Sequence, residues 1–244
     1  MKKILLAFFP ILLLIACNKS AKPLEKEAPP DFHLASEQEE ITSSFNPDVH
    51  IKAYEALRKR IYTRKAELNY QSSGISQAEI KRQFFHHLLD SIFPYWYGTD
   101  WDFNGISETP RTGQIACGYF VSTTLKHMGI NLNRYRLAQM AAYDILKQLS
   151  KPKSIQRFTK FDRMIEYLEE KEEDEIFLLG LDYHVGFVAR KDQRLFFIHS
   201  NYYSDEVQKE LMQRSYSARN SEAFYLGNLT GNKELMLRWL KENS

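Results

Sequence analysis

The chain has 244 residues, with 33 Lys and Arg against 31 Asp and Glu, for a formal net charge of +2. Lys2 and Lys3 account for that whole excess and lie in an N-terminal segment without acids, so the remainder is formally neutral. A neutral domain has no field to draw in nucleic acid or an anionic membrane surface, which excludes both as partners on charge grounds; its length suffices for one large domain or two small ones.

After Lys2 and Lys3 comes an apolar run from Ile4 to Ala16, broken only by Pro10. It is too short to span a bilayer, which takes about 20 residues, and fits the central region of an export signal. Its end, Leu14-Ile15-Ala16-Cys17, resembles the lipobox of bacterial lipoproteins, which implies cleavage before Cys17 and acylation of its thiol. Residues 1–17 are therefore expected to be a lipoprotein signal with lipidated Cys17. The mature chain would then be anchored in the cell envelope, on the periplasmic side, through lipid and without a transmembrane helix. Residues 18–45 hold Pro23, Pro29, Pro30, many charges and few large apolar groups. Such a stretch cannot offset its ordering entropy and reads as a flexible tether. Residues 46–244 are expected to form a single domain.

Within that domain, Tyr54, Leu57, Ile61, Tyr62 and Leu68 recur at helical spacing and predict an amphipathic helix over 51–68. Ser76 followed by Glu79 reads as a capping box that opens a second helix, with Ile80, Phe84 and Leu88 on its apolar face. This helix should end near Ile92, where Pro94 stops it. A loop rich in Gly, Asn and Thr leads to a helix over 117–128, closed by Gly129 in the left-handed position. Its Val121-Ser122-Thr123-Thr124 run has poor helix propensity, so burial must hold it. Further helices are predicted over 137–149 and 160–170, followed by an acidic run, Glu169 to Glu175, that reads as a solvated face and turn. The period then changes. Residues 176–179, 184–188 and 195–199 are short β-like runs joined by turn residues, which argues for an antiparallel sheet. Asp205 to Tyr216 fits a helix, Ala223 to Leu229 a strand, and Lys233 to Lys241 a terminal helix. Helices first and strands second make the fold class α+β.

The chain has two cysteines. With Cys17 acylated, Cys117 has no partner for a disulfide and is an unpaired thiol in an exported protein. A buried inert cysteine acting as a small hydrophobe is the alternative. Cys117 lies at a predicted helix start, where unpaired amides and the macrodipole favour thiolate and could also receive an oxyanion. A thiol nucleophile needs a base, and the base needs a third group to fix its tautomer. His184 begins one predicted strand and His199 ends the next, so an antiparallel hairpin brings the two together.

The segments Gly98-Thr99-Asp100-Trp101-Asp102-Phe103-Asn104-Gly105, Ala116-Cys117-Gly118-Tyr119-Phe120-Val121, Gly129-Ile130, Asn133-Arg134, Gln139, His184-Val185-Gly186 and Phe197-Ile198-His199-Ser200 resemble, in order, the landmarks of the NlpC-type cell-wall peptidases. The resemblance spans roughly residues 97 to 201. It implies a papain-like fold, a buried nucleophile helix packed on an antiparallel sheet, and cleavage of peptidoglycan stem peptides without metal or organic cofactor. It further implies Cys117 as nucleophile, His184 as general base and acid, His199 as the group orienting His184, and Trp101 in place of a substrate-contacting Tyr. The family's usual Asp-Cys-Ser-Gly becomes Ala116-Cys117-Gly118-Tyr119 here, and about four extra residues precede Cys117. Two alternatives stay open: a non-catalytic lipoprotein that binds a wall fragment or partner on the same fold, and a cysteine hydrolase of another amide or ester.

Other groups are weaker. His86 and Asp90, one helical turn apart, offer two ligands, too few for a zinc site. Among the aromatics Tyr95, Trp96, Tyr97, Trp101 and Phe103, packing accounts for most, and Trp101 alone is retained as a site residue. Asn201 is an alternative to His199 as the polar third member, since strand alternation places both on one face.

Overall fold

The first helix, α1 (Pro47–Tyr70), forms because Tyr54, Leu57, Ile61, Lys65 and Leu68 make one buried stripe along it. The computed structural model describes residues 45–70, 74–150 and 152–242. The export segment, Cys17 and nearly all of the tether lie outside the described residues. No helix among the described residues is long and apolar enough to cross a membrane.

Ser76 caps α2 (Gln77–His86) by accepting the Glu79 N–H at 3.1 Å. The expected stop at Pro94 does not occur. The chain widens into a π-helical turn over His87–Ile92, closed by Phe93 N–H on the Leu88 carbonyl, and continues as α3 (Phe93–Trp96). Pro94 follows directly on that widened turn, so its missing N–H falls where the regular hydrogen-bond ladder is already interrupted.

The helix α4 (Cys117–His127) matches its predicted span, and Gly129 follows at φ +87°. Most of it is buried, and Thr124 spends its hydroxyl on the Phe120 carbonyl at 2.8 Å, so packing offsets poor propensity. The single helix expected over 137–149 is two, α5 (Arg134–Ala138) and α6 (Ala142–Leu149). The reason is a close approach. A Cβ on Gly118 would lie 2.3 Å from the Ala138 carbonyl oxygen, so α5 ends against the first turn of α4 and the chain turns there.

The helix α7 (Phe161–Glu169) precedes β2 (Glu175–Gly180), and β1 (Gln156–Phe158) precedes both. The hairpin is β3 (Val185–Lys191) with β4 (Arg194–Asn201). The segment read as helical from Asp205 is instead β5 (Glu206–Leu211), paired antiparallel to β4 with His199 opposite Gln208, followed by a 3-10 turn and the short α8 (Tyr216–Arg219). Pairing to the long edge of β4 overrides the weak local pattern. The strand β6 (Phe224–Asn228) and the helix α9 (Lys233–Lys241) complete the described chain.

The sheet order is β1-β6-β2-β3-β4-β5, with every pair antiparallel. Ile176, Leu178, Phe187 and Ile198 face a core built with α1 to α4, α6 and α9. Phe177, Leu179, Val188 and Phe197 face a second core built with α7. Burial on both faces explains the unbroken apolar run of β2. The fold is α+β, as the sequence implied.

Candidate active site

Cys117 is the first residue of α4 and is half-buried. The residue before it is clamped. Ala116 N–H donates to the Gly105 carbonyl at 2.8 Å, and Ser200 of β4 donates to the Ile115 carbonyl at 2.6 Å. Ala116 has no side chain to cap the helix, so the first amides of α4 are not taken by a capping oxygen. The backbone amides of Val185, Gly118 and Cys117 lie beside the sulfur, and their dipoles favour thiolate. Burial acts the other way and is stronger, so the thiol sits above its ordinary range. This corrects the expectation from the helix start alone: local dipoles favour the anion, and desolvation outweighs them.

His184 precedes β3 by one residue, in a turn where its carbonyl accepts from Leu181 N–H at 2.8 Å. Its Nε2 lies 2.7 Å from His199 Nδ1, and His199 Nε2 lies 2.9 Å from Glu210 Oε1. An ionised carboxylate can only accept, so the Nε2 proton of His199 points at Glu210. His199 Nδ1 is then an acceptor for His184 Nε2–H, and the lone pair of His184 is left on Nδ1. Gly186 makes room for this: it lies where a Cβ would meet Phe197 at 2.7 Å and the Cβ of His199 at 2.8 Å. Phe197 stacks on His199 with ring centroids 4.0 Å apart.

Both imidazoles are neutral. Burial, then the neighbouring His199, holds His184 well below its usual value. Burial also lowers His199, partly opposed by its hydrogen bond and charge interaction with Glu210. Thiol and imidazole are therefore each uncharged at rest.

Cys117, His184 and Trp101 share one cleft of about 480 Å³. Its walls include Phe103, Tyr119, Gln139, Tyr183 and Tyr202. Trp101 is held by its N–H on the Asp205 carbonyl at 2.7 Å, with its ring 6.1 Å from that of Tyr202. The Tyr202 ring also lies 5.5 Å from His184. The break between α5 and α6 contributes Ala138, Gln139 and Met140 to the wall.

Two other sequence candidates lie elsewhere. Asn201 Oδ1 accepts from Tyr203 N–H at 2.9 Å and from the Ser217 hydroxyl, so it ties loops rather than touching His184. His86 pairs with Asp90 at 2.8 Å on the surface, where Lys191 also reaches Asp90. No group of three or more potential metal-binding side chains occurs among the described residues. Glu210 was missed because its segment was read as helical; in strand register it lies opposite Phe197, diagonal to His199. Tyr183 and Tyr202 carried no signal, since a single tyrosine in a turn is common.

The chain matches no family model, no curated protein and no solved structure.

Proposed function

We propose that this protein is a cysteine hydrolase of papain-like architecture that cleaves an amide bond. Cys117 is the nucleophile, His184 the general base and acid, and His199 the group that orients it. Glu210 is a positioning residue that fixes the tautomers of both histidines. The observation that carries this reading is the hydrogen-bonded series from Glu210 through His199 to His184, ending at the cleft that holds Cys117. Histidines that serve only as packing do not require a directed run of donors beside a thiol at a helix start.

In the first half-reaction His184 Nδ1 takes the Sγ proton as sulfur attacks the carbonyl carbon, and the carbonyl electron pair moves onto oxygen. The uncapped amides at the start of α4 support the reading as donors to that oxyanion. Collapse breaks the C–N bond while the imidazolium protonates the departing amine, leaving a thioester on Cys117. Water then gives a proton to His184 Nδ1 and attacks the thioester; the C–S bond breaks, the carboxylic acid leaves, and sulfur recovers the proton. These steps use side chains and amides of the chain itself.

The resemblance to NlpC-type peptidases supports stem peptides of peptidoglycan as the substrate, with Trp101 contacting the peptide. Lipidated Cys17 would hold the domain at the cell envelope beside that polymer. The test is iodoacetamide labelling between pH 7 and 9, read by peptide mass at Cys117, together with release of fragments from purified sacculi and a peptide panel. Labelling is expected at Cys117, and release is expected to disappear in Cys117→Ala and in His184→Ala. An unlabelled Cys117 refutes the nucleophile. Labelling without release from sacculi or any peptide refutes the substrate.

A further inference from the structure

The cleft around Cys117 carries no formal charge. Among the described residues that line it, none is Asp, Glu, Lys or Arg. Its two titratable reacting groups are a buried imidazole and a thiol, both in their neutral forms at pH 7. Several ionised groups adjoin its walls without lining it, Asp182 beside Tyr183 among them, whose carboxylate accepts the Glu222 and Ala223 N–H groups. The Asp102 carboxylate, one residue from Trp101, accepts the Asn104 N–H at 2.8 Å within its own loop. The Arg134 guanidinium, behind Tyr119, bonds Thr123 Oγ1 at 2.6 Å and Glu108 at 3.0 Å, and also the Ile106 and Ser107 carbonyls. It is sandwiched 4.9 Å from the rings of both Tyr119 and Tyr135. Glu210 lies behind His199.

What the cleft does offer is neutral. Asn104, Gln139 and Tyr202 supply amide and phenol groups, and Gln139 donates to the Tyr119 hydroxyl at 3.2 Å. At the rim, large apolar side chains stand in solvent: Phe103 is 79% exposed, Ile106 52% and Tyr183 97%. An ionised group entering such a cleft loses hydration and finds no counter-charge, whereas an uncharged one loses little and gains ring contact.

We infer that the stretch of substrate seated in this cleft is uncharged on both sides of the scissile amide and lays an apolar or aromatic group against the rim of Phe103, Ile106 and Tyr183. The inference rests on the hydrolase reading for the word substrate, and on the composition of the cleft for its chemistry.

The test separates the two. Cys117 in the full-length protein is alkylated with neutral iodoacetamide, anionic iodoacetate and cationic 2-bromoethylammonium, each rate divided by that of the uncharged thiol N-acetylcysteine amide with the same reagent. Both charged reagents are expected to fall at least about tenfold behind iodoacetamide after that correction. Either of them matching or overtaking iodoacetamide overturns the inference, because it reports a charge in the cleft. The second arm compares acylated amides in isosteric pairs, Gln against Glu and Met against Lys, on the acyl side of the cleaved bond. The neutral members are expected to be hydrolysed at least about tenfold faster in kcat/KM. Preference for a charged member overturns the inference and leaves the hydrolase standing. No turnover of any pair, with the alkylation ranking intact, removes the hydrolase and leaves the uncharged ligand class supported.

Discussion

Replacing Glu210 by Gln removes one negative charge and keeps the volume and one acceptor oxygen, so it probes the relay narrowly. In the wild type the carboxylate fixes the His199 Nε2 proton, which directs the His184 Nε2 proton to His199 and leaves the His184 lone pair on Nδ1, the atom that serves the thiol in the proposed reaction. A glutaminyl amide can present its NH2 to His199 instead, which reverses both tautomers and places a proton on His184 Nδ1, where a lone pair is needed. A hydrogen bond to a charged group contributes about 1.5–3 kcal/mol. The Glu210 side chain is 20% exposed, which places the loss at the lower end. About 1.5–2 kcal/mol corresponds to a fall of roughly 10–30-fold. That fall is expected in kcat with KM little changed, because Glu210 lies behind His199 and contributes nothing to the cleft wall. The assay is turnover of a substrate that the wild type hydrolyses, accompanied by a thermal melt and by 15N shifts of the imidazole nitrogens, which report tautomer directly. A kcat within twofold of wild type refutes the relay. So does a loss of activity that tracks a loss of Tm with unchanged tautomers.

Gly118→Ala places a Cβ 2.3 Å from the Ala138 carbonyl oxygen, so one backbone must shift. The cost is about 1–3 kcal/mol, read as a Tm lower by about 2–4 °C for each kcal/mol; an unchanged Tm would rule out the close approach. Because burial holds the Cys117 thiol up, its alkylation rate should climb about tenfold per pH unit between pH 6 and 8.5; a rate flat over that range would mean a preformed ion pair. Burial depresses His184, His199 and His127, the last to about 3, so these groups are neutral when folded and take up protons when unfolded. Their contribution to stability is full above pH 6.5 and declines below it by up to about 1.4 kcal/mol per pH unit for each, toward the folded value; equal urea midpoints at pH 7 and pH 5 would contradict this. Ala116→Asp supplies the missing cap of α4 and a charge on the cleft wall. It should raise stability by about 1 kcal/mol and shift alkylation toward the cationic reagent, and a variant with neither effect would show that residue 116 faces away from both.

The parts of the fold legible in the sequence are those where local pattern and tertiary burial agree. The stripe on α1, the cap at Ser76, Gly129 after α4 and the β3 to β4 hairpin all met that condition, and they bring Cys117, His184 and Trp101 to one cleft with His199 hydrogen-bonded to His184. The failures are places where a distant contact decides. Apolar periodicity runs unbroken through 137–149, yet the Ala138 carbonyl meets Gly118 and the helix divides. The strand β5 has only Val207 fully buried, so its sequence shows no alternation and its extended form comes from pairing with β4. Glu210 was hidden for that reason alone. The thiol was misjudged in the same way: a helix start is visible in sequence, whereas the burial that opposes it is not.

In the proposed reaction, the position of Glu210 resolves a conflict between the base and the substrate. An imidazolium forming at His184 needs negative charge nearby, but a carboxylate on the cleft wall would also act on every charged group the substrate carries. Placing the carboxylate on β5, with His199 between it and His184, carries the tautomer constraint through two hydrogen bonds of 2.9 and 2.7 Å. The stack of Phe197 on His199 and the missing Cβ of Gly186 keep that route short. Burial keeps His199 neutral at rest, and Glu210 partly opposes that effect, so it favours positive charge arriving on the histidine pair. The cleft can then stay uncharged with Ala116 and Gly118 beside the thiol, where the resembled family carries a carboxylate and a hydroxyl. On this account the departures at those two positions and the carboxylate on β5 form one arrangement, in which the charge that tunes the base is kept apart from the surface that selects the substrate.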